Sequence, residues 1–352
     1  MADTSVLTTA YVADVVLDQV DGRSAAHPDT VAIDPSSSSS DQLVVSGGPS
    51  SHGVRWATRA ATLATLAALA GGVVVMVPRL HSLQVALGHV RHAQLGWLAG
   101  CIAATFATCL VSACGLRAAV GHRLAIRQMV QLELAASTAN RFAPGGIGGV
   151  GLKSLYLCRH GATPSEAAAA LGTIGIVGAT VHVIALTITT IVTGGQIELP
   201  LPLLFGLGVA LIVLAGAMAL AKPTGRIRRE LDRARQTIVA IVRNPRRLGV
   251  LVGSAASVTG CNIVALAFAC RSVGADASLF TIASIYLTGR AVAAAAPTPN
   301  GLGATEAAMI AGFATAGVVG PVALAAVLVY RLVSFWLPIL PGVISARRLR
   351  AA

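Results

Sequence analysis

Pro144-Gly145-Gly146-Ile147-Gly148-Gly149 and Pro299-Asn300-Gly301-Leu302-Gly303 each interrupt an apolar segment, the second 155 residues after the first. Proline removes a backbone donor and clashes with the preceding helical turn, while clustered glycines let the chain leave the helical ladder at little steric cost. Inside an apolar segment, each element therefore reads as a helix broken at membrane depth. Such backbone is tolerated in a bilayer only where protein or a water-filled cavity satisfies its N–H and C=O groups, and a matched pair points to a transporter's binding region.

The rest of the chain agrees with a bilayer setting. Of 352 residues, 55% are hydrophobic and 11% charged, with a mean hydropathy of +0.76, which is too apolar for an ordinary soluble domain. The net charge of +12 is unevenly spread, because seven of the fourteen acidic residues precede residue 50. The bases flank apolar spans and aromatics make up 4%, a pattern of the positive-inside rule and of anionic headgroups, not of nucleic acid. The six cysteines contain no C-x-x-C and no compact Cys/His cluster, so core-filling thiols are expected, with no disulfide, metal or cofactor.

Residues 1–54 are acidic and Ser-rich, including Ser36 to Ser40, and read as a disordered cytoplasmic tail. No cleaved signal is expected, since the first strong apolar run begins after residue 55. From 55 to 352 the chain reads as one all-α transmembrane domain. Apolar runs at 56–77, 94–116, 167–194, 201–221, 248–270 and 321–345 each match the ~20 residues of a crossing helix. The broken segments 124–160 and 278–317 fit re-entrant hairpins. The expectation is thus six full crossings and two re-entrant hairpins in an inverted repeat, with units at 55–195 and 200–347.

Charge sets the orientation. Arg55, Arg59, Arg117, Arg123, Arg127, nine bases between Lys222 and Arg247, and Arg347, Arg348 and Arg350 fall on one side if both hairpins return to the side they entered. The other side receives Arg79, Arg91 and Arg271. Both termini are then expected in the cytoplasm and the protein in the plasma membrane. An odd number of crossings per unit makes the two units inverted, as alternating access requires. The Arg-rich stretch 225–248 carries Ile227, Leu231, Ile238, Ile241 and Val242 among its bases and suits either a helix on the inner leaflet or a plain basic loop.

Charged residues in apolar segments cost roughly 2.5–3.5 kcal/mol each on insertion scales and are functional candidates by default. Here they cluster at the breaks. Arg141 and Lys153 flank the first, whose residues Pro144, Gly145, Gly146 and Gly148 offer N–H groups at a half-helix N-terminus, an arrangement that favours an anion. The same glycines also permit close helix packing. Gly146 to Gly151 satisfies G-x-G-x-x-G, yet no strand precedes it, so a dinucleotide site is set aside. Around the second break, Arg290 precedes Pro299, Asn300 and Gly301, Glu306 opens the next half-helix, and Arg331 lies within the last span. Arg141, Lys153 and Arg290 are the expected headgroup partners; Glu306 with Arg331 is a switch or a staple. Glu133 reads as an ion-pair partner or a proton site, and His182 and Asn262 as interhelical hydrogen-bonding groups. No catalytic motif is found, so no enzyme activity is expected.

Asn140-Arg-Phe-Ala-Pro-Gly-Gly-Ile-Gly-Gly, with Lys153-Ser-Leu-Tyr-Leu and Gly161, resembles the first signature of the lysylphosphatidylglycerol synthase transmembrane region. Pro299-Asn-Gly-Leu-Gly-Ala-Thr-Glu306, with Tyr330-Arg331 and Pro338, resembles its second. The resemblance implies the flippase-like membrane half of the lysyl-lipid synthases without their aminoacyl-transferase domain. The expected function is translocation of a phospholipid or lipid-linked headgroup, with anionic or lipid-linked headgroups as partners. The alternative is a non-transporting membrane partner or scaffold that docks a cell-envelope enzyme through 222–247.

Overall fold

Helix caps and apolar length divide the chain into ten helices among the described residues. The structure, a computed structural model, describes residues 88, 90, 93–120, 124–142, 147–194, 225–296 and 301–351. The expected tail at 1–54, the expected spans at 56–77 and 201–221, and Pro144, Gly145, Gly146, Pro299 and Asn300 lie outside them. All described residues belong to one compact unit, Thr65–Ala352.

The helices are α1 (Leu95–Val120), α2 (Ile126–Phe142), α3 (Ile147–Arg159), α4 (Pro164–Val192), α5 (Gly225–Val242), α6 (Pro245–Ser272), α7 (Leu279–Ala295), α8 (Ala304–Thr315), α9 (Gly320–Arg331) and α10 (Ile339–Ala351), with a π-turn at Leu332–Trp336 joining the last two. Their starts are written in the sequence. Thr163 and Glu166 form a reciprocal capping box before Pro164, and Asn244 accepts from the N–H groups of Arg246 and Arg247 behind Pro245. Both are standard N-terminal devices, in which proline occupies a position whose N–H has no helical partner. Along α4, Thr173, Thr180, Thr187 and Thr190 return their hydroxyls to the carbonyl four residues back, which lets polar side chains sit in an apolar helix without an unmet donor.

Among the described residues, four helices are long and apolar enough to cross a membrane: Leu95–Val120, Pro164–Val192, Pro245–Ser272 and the joined Gly320–Leu349. They coincide with four of the six expected crossings. The long helices α1 and α6 make the most extensive contact, and they run antiparallel. Gly100 abuts the Phe268 ring and Gly115 abuts Ser254, while the Gln94 N–H bonds to the Ser272 carbonyl at 3.0 Å. Small residues at such crossings let backbones approach, the usual basis of helix association in lipid.

Packing repeats within the chain. The pairs α2 with α3, α1 with α2, α2 with α10, α1 with α4 and α3 with α4 have counterparts in α7 with α8, α6 with α7, α7 with α4, α6 with α9 and α8 with α9. Exchanging the two halves therefore maps one set of contacts onto the other. Because the equivalent helices α1 and α6 are antiparallel, the exchange inverts direction.

The helix ends sort by charge. The ends of α1, α3 and α10 and the starts of α2 and α4 meet through Leu116, Leu124, Leu157, Ala167 and Leu349, and α5 and the start of α6 join them through Ile241 and Leu251. This end carries Arg117, Arg127, Arg159, Arg243, Arg246, Arg247, Arg347 and Arg348. The opposite end, where α6 turns into α7, carries Arg271 and Asp276. Consequently the pair α2–α3 starts and finishes at the basic end, whereas α7–α8 starts and finishes at the other.

Candidate functional site

The first helix pair reaches the middle of the last span through Arg141, at Ser334 and Phe335, and the second reaches it through Glu306, at Arg331. After Arg331 the helix widens into the π-turn Leu332–Trp336, closed by the Leu337 N–H on the Leu332 carbonyl at 3.0 Å. Single π-turns inside α-helices recur at functional sites because they free backbone groups and re-aim side chains. Here the Ser334 carbonyl accepts from Arg141 Nη2 at 3.0 Å, and Arg141 Nη1 donates to Ser137 Oγ at 3.0 Å.

Arg141 and Arg331 are 9% and 8% exposed, and both lie over the ring of Phe335, itself 3% exposed. The guanidinium carbons sit 5.3 and 5.1 Å from the ring centre, within the range of a cation–π contact. Arg331 also pairs through Nε with Glu306 Oε1. The other oxygen, Oε2, accepts from the Gly303 N–H at 2.7 Å. Glu306 thus caps the half-helix α8 and holds it to the last span. Among the described residues, Arg141 Nε and Arg331 Nη2 are buried without a hydrogen-bond partner. Unmet buried donors are costly and mark a place for a further acceptor.

At the second break, Gly301 has φ 66°, a conformation that side chains with a Cβ rarely adopt. A Cβ there would also lie 2.4 Å from Ala293 Cβ, so the turn is pressed against α7. At the first break, Asn140 Oδ1 accepts from the Gly149 N–H at 2.6 Å, and a Cβ on Gly149 would fall 2.7 Å from the Ala136 carbonyl oxygen. At the first break the expected anion-seeking N–H groups are therefore partly used internally, by Asn140 at α3, just as Glu306 takes up the Gly303 N–H at α8. Gly148 is half-buried on α3.

The four bases near the breaks differ in their surroundings. Lys153 Nζ meets Glu133 Oε1 at 2.7 Å, with side chains 18% and 9% exposed, and Arg331 meets Glu306. Arg141 and the half-buried Arg290 have no carboxylate partner among the described residues. Arg290 and Arg331 lie within electrostatic reach of Tyr286 and Tyr330, whose rings meet edge-on with centroids 6.4 Å apart. Tyr330 donates to Asn262 Oδ1 at 3.3 Å. His182 Nε2 donates to the Leu287 carbonyl at 3.1 Å and ties α4 to α7. Arg141 and Arg331 with the single carboxylate of Glu306 therefore leave the junction one positive charge in excess among the described residues.

Phe335, Ser334 and Ser137 are absent from the residues singled out in the sequence, and Asn140 and Gly149 stand there only as parts of a motif with no role of their own. The spacing Ser137 to Arg141, four residues on one helix, was a readable signal. The π-turn that brings Ser334 and Phe335 to Arg141 leaves no pattern in hydropathy.

The sequence matches the family described as lysylphosphatidylglycerol synthase TM region over residues 62–342, while no curated protein matches the chain significantly. The matched stretch contains both helix pairs, the Arg141–Phe335–Arg331 junction, three of the four apolar spans and most of the fourth. With most of its length covered and its helices of membrane-crossing length, the chain is a membrane protein that belongs to the lysylphosphatidylglycerol synthase TM region family.

Proposed function

We propose that the protein is a flippase-like lipid translocator of the plasma membrane, without catalytic activity, that moves a phospholipid or lipid-linked headgroup between leaflets. In this reading α2–α3 and α7–α8 are re-entrant hairpins. At 12 to 17 residues each, their arms reach only ~18–26 Å, short of the ~30 Å hydrocarbon core. Six full crossings, with the apolar runs 56–77 and 201–221 opening the two repeats, are part of the same reading, and with them both termini are cytoplasmic.

The observation that carries the reading is the Arg141–Phe335–Arg331 junction. Two buried guanidinium groups share one ring, and among the described residues only Arg331 has a carboxylate partner, where an isolated charge at bilayer depth is expensive. An arriving anionic headgroup supplies the missing acceptors and the missing negative charge. Inverted repeats meeting at such a point provide two related conformations open to opposite sides.

The test is reconstitution into liposomes carrying labelled phospholipid or polyprenyl-linked lipid in the inner leaflet. Label should become accessible outside with the wild-type chain and stay protected with R141Q. Failure of the wild type to move any of these lipids rejects the reading. Loss of cellular function on removing 222–247, with hairpin charge variants unaffected, would favour the scaffold reading instead.

A further inference from the structure

α5 presents three different faces around its circumference. Ile241 is 1% exposed and packs with Ala119, Ala170 and Leu251, where α1 ends and α4 and α6 begin. At roughly 100° per residue, Ile238 and Val242 lie beside this buried face, yet they are 42% and 53% exposed. Further round come the exposed bases Arg235, Arg243 and Arg229. A shallow groove of about 330 Å³ runs along this side, lined by Asp232, Arg235, Gln236, Val239 and Arg243.

A face that passes from protein contact through apolar side chains to guanidinium groups matches the edge of a bilayer. Apolar side chains reach the acyl boundary while the bases meet phosphates. Nucleic acid would use the arginines and leave Ile238 and Val242 in water. The helix also sits at the basic end of a membrane bundle, where headgroups are the nearest anions. We infer that α5 is a docking surface for anionic phospholipid headgroups, separate from the Arg141–Arg331 junction. Through Ile241 the surface is packed against the ends of three helices, so lipid bound there bears on their spacing.

Native mass spectrometry of the full chain in micelles mixing phosphatidylglycerol with phosphatidylcholine tests this. The wild type should retain phosphatidylglycerol preferentially, and R229Q/R235Q/R243Q should weaken that retention about tenfold or more, given the usual contribution per base. R271Q, at the opposite end, should leave it unchanged. Raising salt from about 50 to about 500 mM should weaken wild-type retention similarly, a measurement independent of whether the triple variant folds. The α5-dependent fraction should persist in an R141Q background, which separates this surface from any headgroup at the junction. Equal retention of both lipids by the wild type, insensitivity to salt, or unchanged retention by a folded triple variant overturns the inference. A triple variant that keeps its lipid but loses a defined protein partner also overturns it, in favour of protein docking.

Discussion

Arg141 and Arg331 come from different helix pairs' neighbourhoods in the sequence yet lie over the same ring, with guanidinium carbons 5.3 and 5.1 Å from the Phe335 centre. Two like charges so placed repel each other, and the ring's negative face is part of what holds them. F335L keeps most of the apolar volume and removes that face. The expected loss is about 1–3 kcal/mol of stability. In a double-mutant cycle, R141Q should cost less in the F335L background than in the wild type, by about 1 kcal/mol. Thermal unfolding of the four purified proteins followed by size-exclusion recovery measures the coupling, and strict additivity would contradict the stacked arrangement.

Glu306 serves two groups at once, the Gly303 N–H and Arg331. E306Q retains an amide oxygen for the N–H but no longer balances the guanidinium. Its side chain is 24% exposed against 10% for Arg331, so the uncompensated charge left behind is the arginine. The expected destabilisation is about 3 kcal/mol, with much of it recovered in E306Q/R331Q. Comparing melting temperatures of the single and double variants checks this. A double variant less stable than E306Q would show that the two charges do not act as a pair.

Much of this fold was readable because membrane helices announce themselves by length. The runs 94–116, 167–194, 248–270 and 321–345 anticipated spans at Leu95–Val120, Pro164–Val192, Pro245–Ser272 and Gly320–Leu349. Thr163-Pro164 and Asn244-Pro245 explain the earlier starts of two of them. The Glu306–Arg331 and Glu133–Lys153 pairs were within reach of reasoning, since buried charges seek partners. What escaped was tertiary. Arg141 finds Ser334 across 193 residues, through a π-turn that depends on contacts and not on periodicity, and Asn140 reaches Gly149 across a break that looked like an open anion site.

Glycines of the same helical bundle should respond oppositely to alanine. A Cβ at Gly342 would lie 1.9 Å from Thr138 Oγ1 and 2.7 Å from the Leu134 carbonyl oxygen, which would force α10 away from α2. G342A should therefore lose about 1–3 kcal/mol, as overpacked sites do. T138A should relieve only part of that, because the backbone oxygen remains. Gly172 is exposed on α4 with nothing within 4 Å of an added Cβ, so G172A should gain up to about 1 kcal/mol from helix propensity. Melting curves in one detergent compare the three variants directly, and a G342A protein as stable as the wild type would mean that α2 and α10 are not in close contact.

Lys153 and Arg141 both flank the first break, but Lys153 already faces Glu133 at 2.7 Å whereas Arg141 faces no described carboxylate. A headgroup arriving at Lys153 would have to displace a largely buried ion pair, while at Arg141 it would fill an unmet donor. K153Q or E133Q alone should destabilise the hairpin by leaving one buried charge, and K153Q/E133Q should recover most of that stability. The double variant should then keep lipid translocation near the wild-type rate in reconstituted liposomes, while R141Q loses it. If K153Q/E133Q folds and is inactive, Lys153 belongs to the headgroup path and the pair with Glu133 describes its resting state.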